Sequence, residues 1–232
     1  MKESNNDMID VFLYPHYKKL VRFIPGKATP NQLTATGFLF GIAAALSLIV
    51  IPGNNRYLVC SLFLYLWSLF DSLDGIYARS KGHTTEFGAF LDHFLDAIVV
   101  LCLYSAILYA FDIQQIAFIL ALAFRLLMSV TTYILSSYIG VLHIPRIGPT
   151  CEQFLFIFFL IISYVFPGNV VAFEAEFPFL ANITGMTGIS IMGIAIFIIF
   201  LVTPFTIYEH YSIAKKMLIN GQTPAEKKQN KS

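Results

Sequence analysis

The chain has little charge and little cysteine. Asp, Glu, Lys and Arg make up only 12% of its 232 residues, whereas 57% are hydrophobic and the mean hydropathy is +0.70. So few charges cannot coat a soluble domain of this size, and the chain reads as a bilayer protein. The two signs nearly cancel, fifteen basic against fourteen acidic side chains, which argues against a basic nucleic-acid binder and an acidic solvating protein. Cys60, Cys102 and Cys151 lie in apolar runs without C-x-x-C spacing. They support neither a disulfide framework nor a zinc site and read as small core residues. The first useful apolar stretch begins near Leu33 behind a polar, charged leader, so a cleaved secretory signal before a soluble domain is not expected. The alternating segments of about ten residues that mark a membrane β-barrel are missing too.

What is present is a set of long apolar runs. A helix needs about 20 mostly apolar residues to cross roughly 30 Å of hydrocarbon. Six runs approach that length: residues 33–51, 57–70, 88–111, 116–139, 150–166 and 187–207. The expected fold is an all-α membrane protein, a bundle of six transmembrane helices. Lys2, Lys18, Lys19, Arg22, Lys27, Arg79, Lys81, Arg146, Lys215, Lys216, Lys227, Lys228 and Lys231 all fall on one side of such a bundle. Arg56 alone falls on the other, and Arg125 lies inside the fourth run. The positive-inside rule therefore puts both termini in the cytoplasm. Residues 9–24 interleave Val11, Phe12, Leu13, Leu20, Val21 and Phe23 with Lys18, Lys19 and Arg22. Too charged to span, this stretch reads as an amphipathic helix in the cytoplasmic interface, basic side chains toward lipid headgroups; the plainer alternative is a disordered basic leader. The expected organisation is a cytoplasmic leader with its interfacial helix (1–28), a six-span domain (29–210) and a polar cytoplasmic tail (211–232).

Only seven aspartates occur, and four of them, Asp71, Asp74, Asp92 and Asp96, flank one cytoplasmic loop. Spacings of three and four residues put each pair on one face of its own helix. Carboxylates at membrane depth are costly and usually functional, and four together repel unless a cation compensates them. An oxygen donor set without a supporting Cys or His set favours Mg²⁺ or Mn²⁺ over zinc. Mere capping of helix ends at the interface explains one such pair but explains two facing pairs poorly. Gly75, Ala78 and Gly88 leave the neighbouring helix faces bare for close approach of a ligand, and Arg79 supplies a fork for phosphate oxygens. Metal, phosphate and carboxylate together point to phosphoryl transfer: two divalent ions bridging a pyrophosphate, and one carboxylate taking a proton from an attacking hydroxyl. A divalent-cation transporter is the rival from another class. It would need polar residues at successive depths, yet all four aspartates lie at the cytoplasmic ends of the second and third runs, and an Arg beside them would hinder a cation.

The run Asp71-Ser72-Leu73-Asp74-Gly75-Ile76-Tyr77-Ala78-Arg79, followed by Gly88-Ala89-Phe90-Leu91-Asp92-His93-Phe94-Leu95-Asp96, resembles without a gap the CDP-alcohol phosphotransferase signature D-x2-D-G-x2-A-R-x8-G-x3-D-x3-D. Upstream, Thr29-Pro30-Asn31-Gln32-Leu33-Thr34 resembles the same family's Pro-Asn-x-x-Thr segment. The resemblance implies that Asp71, Asp74 and Asp92 bind metal while Asp96 both touches the second ion and serves as the base. It assigns Asn31, Thr34, Gly75, Ala78, Arg79, Thr85 and Gly88 to the CDP moiety. It also implies attack of an acceptor hydroxyl on the β-phosphorus with release of CMP, two Mg²⁺ or Mn²⁺ ions, a homodimer, and a polar cavity open to the cytoplasm, in a bacterial inner membrane or a eukaryotic ER-type membrane.

The family's branches differ in substrate. Asp92-His93 with Asp96, and Gly37-Phe38 after the Pro-Asn segment, resemble the branch that moves phosphocholine or phosphoethanolamine from its CDP ester onto diacylglycerol. The alternative branch uses CDP-diacylglycerol and a polar alcohol such as inositol, inositol phosphate, glycerol phosphate or serine. Glu152 is expected near the acceptor or an aminoalcohol cation. Arg125, too costly to sit bare in a span, either binds an acceptor or lipid phosphate, or pairs with a buried carboxylate or hydrogen-bonds loop carbonyls. His93 reads as a hydrogen-bonded structural group rather than a proton relay. Residues 182–184 form an N-x-T sequon on the non-cytoplasmic side.

Overall fold

A computed structural model describes residues 2–5, 7–111, 115–139, 141–166, 170–171 and 189–219. The expected sequon and most of the polar tail lie outside them. Among the described residues seven α-helices dominate: α1 (Met8–Leu20), α2 (Pro30–Val50), α3 (Asn55–Lys81), α4 (Glu86–Phe111), α5 (Gln115–Ile139), α6 (Pro149–Val165) and α7 (Ile191–Ile219). Each of the first five apolar runs falls within a helix, apart from Ile51 and Phe166 at two ends, and the sixth does so from Ile191 onward. The second run does not stop at Asp71, because α3 carries both of its aspartates inside one continuous helix of 27 residues.

Local chemistry explains where the helices begin and end. Thr29 and Gln32 form a reciprocal capping box and Pro30 opens the first turn of α2. Gly82, at φ 68°, closes α3 in the left-handed conformation that glycine adopts without a Cβ penalty.

Packing is closest where side chains are smallest. α2 lies along both α3 and α4. At Gly41 an added Cβ would come within 2.5 Å of a Val99 methyl, so α4 approaches to a distance only glycine permits. The core joins Ala44 and Leu48 of α2, Cys60, Leu64 and Trp67 of α3, Val99, Leu103 and Ile107 of α4, Phe156 and Leu160 of α6, and Ala195 of α7. Of the three cysteines only Cys60 is fully buried.

Among the described residues four helices, α2, α3, α4 and the 192–215 stretch of α7, are long and apolar enough to cross a bilayer, and α5 and α6 hold shorter apolar segments. Large apolar side chains such as Leu39, Leu58, Leu101, Phe158 and Phe205 point outward, as lipid-facing residues of an integral membrane protein do.

The leader is ordered where it is described. α1 runs into a 3-10 turn at Val21–Phe23 and buries Tyr17 against Leu73 and Ile76 of α3. Burial pushes the Tyr17 phenol up to about 12, so it stays protonated. Met8, Val11, Phe12 and Phe23 face outward, an apolar face that suits an interface.

Two short strand pairings, not anticipated from the sequence, are also present among the described residues. β1 (Lys2–Asn5) pairs in parallel with β2 (Val141–Ile144), and β3 (Val170–Val171) is antiparallel to β4 (Ile189–Ser190). The first pairing brings Asp7 to two helix starts at once. Its Oδ1 accepts from the N–H groups of Ile9 and Asp10 in α1, and its Oδ2 accepts from that of Cys151 in α6 at 3.1 Å. One carboxylate thus satisfies orphan donors of two helices and meets the positive ends of both dipoles. Gly148 makes room, since a Cβ there would lie 2.7 Å from Asp7 Oδ2.

Candidate active site

The helical spacing that pairs Asp71 with Asp74 and Asp92 with Asp96 becomes a single cleft because α2 holds α3 and α4 together. Thr34, Gly37 and Phe38 of α2, Trp67, Asp71 and Asp74 of α3, and Asp92, Leu95 and Asp96 of α4 line it. Gly37 allows the approach: a Cβ there would meet the Phe70 Cβ at 3.3 Å and the Asp71 backbone nitrogen at 3.6 Å.

All four carboxylates reach this cleft, and Asp74 and Asp96 are oriented by donors. The Thr34 hydroxyl donates to Asp74 Oδ2 at 2.5 Å, with the Pro30 carbonyl as its other acceptor at 3.2 Å. The Trp67 indole N–H donates to Asp96 Oδ1 at 3.2 Å. The carboxyl groups of Asp71 and Asp96 lie within hydrogen-bonding reach of each other across the two helices. Ligand atoms of Asp92, His93 and Asp96 lie within 4.8 Å of one another. His93 Nδ1 is 3.8 Å from Asp92 Oδ2 and its ring lies against Tyr133. Carboxylates converging in a mostly buried cleft suit a hard divalent cation, which balances their charge through oxygen. The donor set therefore fits Mg²⁺ or Mn²⁺, with His93 closer to it than its expected structural role suggested.

Three of the residues assigned to a nucleotide come together beside the starts of α2 and α4. Gly88 N–H donates to the Thr85 hydroxyl at 2.9 Å, and a Cβ on Gly88 would meet Thr85 Oγ1 at 3.0 Å and Asn31 Oδ1 at 3.4 Å. Asn31, Thr85 and Gly88, from the starts of α2 and α4, therefore stand together. Gly75 departs from expectation in one respect. Its bare face is covered by Arg79, whose Nη1 would lie 3.3 Å from an added Cβ, so the glycine makes room for the guanidinium rather than leaving open helix surface. Ala78 lies between them in sequence and is half-buried.

The chain belongs to the CDP-alcohol phosphatidyltransferase family. That family's profile matches residues 27–215, most of the chain and all of the cleft. Among sequence relatives, a phosphatidylinositol phosphate synthase of Corynebacterium glutamicum is 33% identical over 109 residues, covering 45% of this chain and 47% of its own. A choline/ethanolaminephosphotransferase of Saccharomyces cerevisiae is 29% identical over 94 residues, covering 38% and 24%. In both matches the chain spans less than half of the relative's length. A crystal structure of Mycobacterium tuberculosis phosphatidylinositol phosphate synthase in complex with manganese and citrate shares the fold, with a TM-score of 0.56 at 20% identity over 85% of this chain and 86% of that one.

A second polar cluster lies beyond Trp67. Arg125 of α5 is ion-paired with Glu152 of α6 and donates to Ser129 Oγ at 2.6 Å. The other Glu152 oxygen accepts from the Tyr104 hydroxyl of α4 at 2.5 Å. Of the roles open to Arg125, pairing with a buried carboxylate is the one observed. Glu152 correspondingly spends its charge on Arg125 rather than standing free for a substrate cation. Sequence reasoning also missed Trp67, although its place four residues before Asp71 put it on the same helix face. Asp10 was missed as well: it accepts from the Ser72 hydroxyl at 3.2 Å and ties α1 to the helix of the first aspartate pair.

Proposed function

We propose that this chain transfers a substituted phosphate group from a CDP-alcohol to the hydroxyl of an acceptor and releases CMP. The convergence of four carboxylates from α3 and α4 on one cleft carries this reading. Asp71, Asp74, Asp92 and Asp96 would hold Mg²⁺ or Mn²⁺, most simply two ions, which supply positive charge for the pyrophosphate and the departing CMP. Thr34 orients Asp74 by its hydroxyl. Arg79, seated over Gly75, offers its planar fork to phosphate oxygens. Asn31, Ala78, Thr85 and Gly88 form the wall against which the nucleotide rests. Asp96 takes the proton of the acceptor hydroxyl; that oxygen bonds to the β-phosphorus, the bond from phosphorus to the bridging oxygen breaks, and CMP leaves with the electron pair.

The substrate pair we favour is CDP-choline or CDP-ethanolamine with diacylglycerol. The Asp92-His93 pattern and the similarity to the yeast enzyme support it. So does the Arg125–Glu152 pair. Among the described residues Arg125 is the one buried Lys or Arg, and its charge is already balanced, so a phosphorylated acceptor would meet no bare buried cation. The similarity to the Corynebacterium synthase favours a second reading, CDP-diacylglycerol with a polar alcohol. We further assign α2 to α7 to six membrane crossings with both termini in the cytoplasm, on the distribution of Lys and Arg, and a homodimeric assembly. A reporter fused after Ser232 and found outside the cell would overturn that topology.

The deciding experiment is a panel of radiolabelled CDP-alcohols and acceptors presented with Mg²⁺ or Mn²⁺ to protein purified in detergent. CMP release coupled to labelled phospholipid is expected with CDP-aminoalcohols and diacylglycerol. Release only with CDP-diacylglycerol and a polar alcohol selects the second reading, and no release with any pair refutes the reaction.

A further inference from the structure

Trp67 is the chain's single tryptophan and is 3% exposed. It stands between two cavities, the carboxylate cleft and a second one lined by Tyr104, Arg125, Glu152 and Gln153. An indole has one polar atom, which only donates, so toward Asp96 it always presents a proton. The χ2 torsion of an aspartate is otherwise broad and roughly two-fold, and a base whose two oxygens exchange places spends part of its time misaligned. Small misplacements of a reacting group cost large factors in rate.

We propose that Trp67 is a positioning residue for Asp96: its N–H holds one carboxylate oxygen at 3.2 Å and so reserves the other for the ions and the acceptor's proton. The inference rests on Asp96 acting as the base. It goes beyond core packing, although Trp67 also belongs to the hydrophobic core, and the two roles separate experimentally. Trp67→Phe keeps an aromatic ring in the core and deletes the N–H. If Trp67 acts through Asp96, the deletion matters only while Asp96 is a carboxylate.

The full chain is prepared in detergent as wild type, Trp67→Phe, Asp96→Asn and the double variant. The first measurement follows wild-type indole emission during a MnCl₂ titration, with MgCl₂ as the diamagnetic control. Unpaired electrons on Mn²⁺ quench a nearby excited indole, and a single tryptophan leaves no other source of signal. Saturable quenching, reversed by Mg²⁺, is expected. Emission unchanged while free Mn²⁺ is depleted from solution overturns the proposal.

The second measurement is CMP release. Trp67→Phe is expected to lower kcat about ten- to a hundred-fold, the worth of a hydrogen bond to a charged group, with KM for the CDP-alcohol unchanged. In the Asp96→Asn background the same change is expected to cause no further loss. Wild-type kcat in Trp67→Phe overturns the proposal, as does an equal loss in both backgrounds, which is the mark of a purely structural residue. If wild-type protein releases no CMP from any CDP-alcohol, the proposed reaction fails, whereas the Mn²⁺ titration still decides whether Trp67 borders the ion site.

Discussion

Glu152→Gln removes one charge from the second cluster and leaves its shape intact. The Arg125 and Glu152 side chains are 8% and 10% exposed, so the guanidinium left behind has little water to replace its partner. Removing one member of a buried ion pair destabilises a protein by about 3–5 kcal/mol, mainly through the uncompensated charge. For a chain of this length about 1 kcal/mol shifts the melting temperature by roughly 2–4 °C, so a fall of about 6–20 °C is expected. Unfolding in detergent, followed by circular dichroism, measures it. Replacing both partners with leucine removes both buried charges at once and is expected to recover most of the loss, because neutralising the pair together avoids the stranded cation. A melting temperature for Glu152→Gln within about 2 °C of wild type would refute the reasoning, and equal losses in the single and double variants would assign the effect to packing. The same substitution frees Arg125 for an anion, so wild type and Glu152→Gln are expected to differ in their tolerance of phosphorylated acceptors.

Asp96→Asn is expected to retain Mn²⁺ and nucleotide binding while losing about 10²- to 10⁴-fold in kcat, the usual contribution of a general base; calorimetric titration beside turnover measures both, and near-wild-type turnover would move the base to another residue, with His93 the nearest candidate. Asp74→Asn is expected to weaken CDP binding instead, because the pyrophosphate charge loses its counter-ion, and unchanged affinity would exclude Asp74 as a ligand. Activity is expected to vanish with EDTA and return with Mg²⁺ or Mn²⁺, so full turnover in metal-free buffer would argue against the cage. Gly41→Leu is expected to destabilise by about 1–3 kcal/mol through overpacking, since even a Cβ meets Val99 at 2.5 Å; an unchanged melting temperature would mean that α2 and α4 separate at no cost.

Much of the site was legible because the information is periodic. Residues three or four apart share a helix face wherever that helix goes, so Asp71 with Asp74 and Asp92 with Asp96 were pairs before any tertiary structure was known. The capping box of Thr29 and Gln32 at the start of α2 is likewise a local arrangement of backbone and side chain, although in the sequence that segment stood out only by its family resemblance. Arg79 over Gly75 was legible only in half. The spacing of four residues places them together, but which of them covers the other depends on how the arginine side chain folds back.

By itself the sequence determined a membrane-embedded helical bundle, its apolar runs, and two aspartate pairs on adjacent helices, because bilayer thickness and helical repeat act on neighbouring residues alone. Tertiary structure decided the partners. That Arg125 meets Glu152, which Tyr104 also holds, rather than a bare phosphate site depends on how α4, α5 and α6 pack. That Asp96 leans on Trp67, 29 positions away in the chain, depends on the register of α3 against α4. That Asp7 caps a helix 144 residues downstream depends on a strand pairing no local pattern announces. Each such contact joins segments whose relative position is set by the packing of everything between them, and packing is a property of the assembled volume rather than of any stretch of sequence.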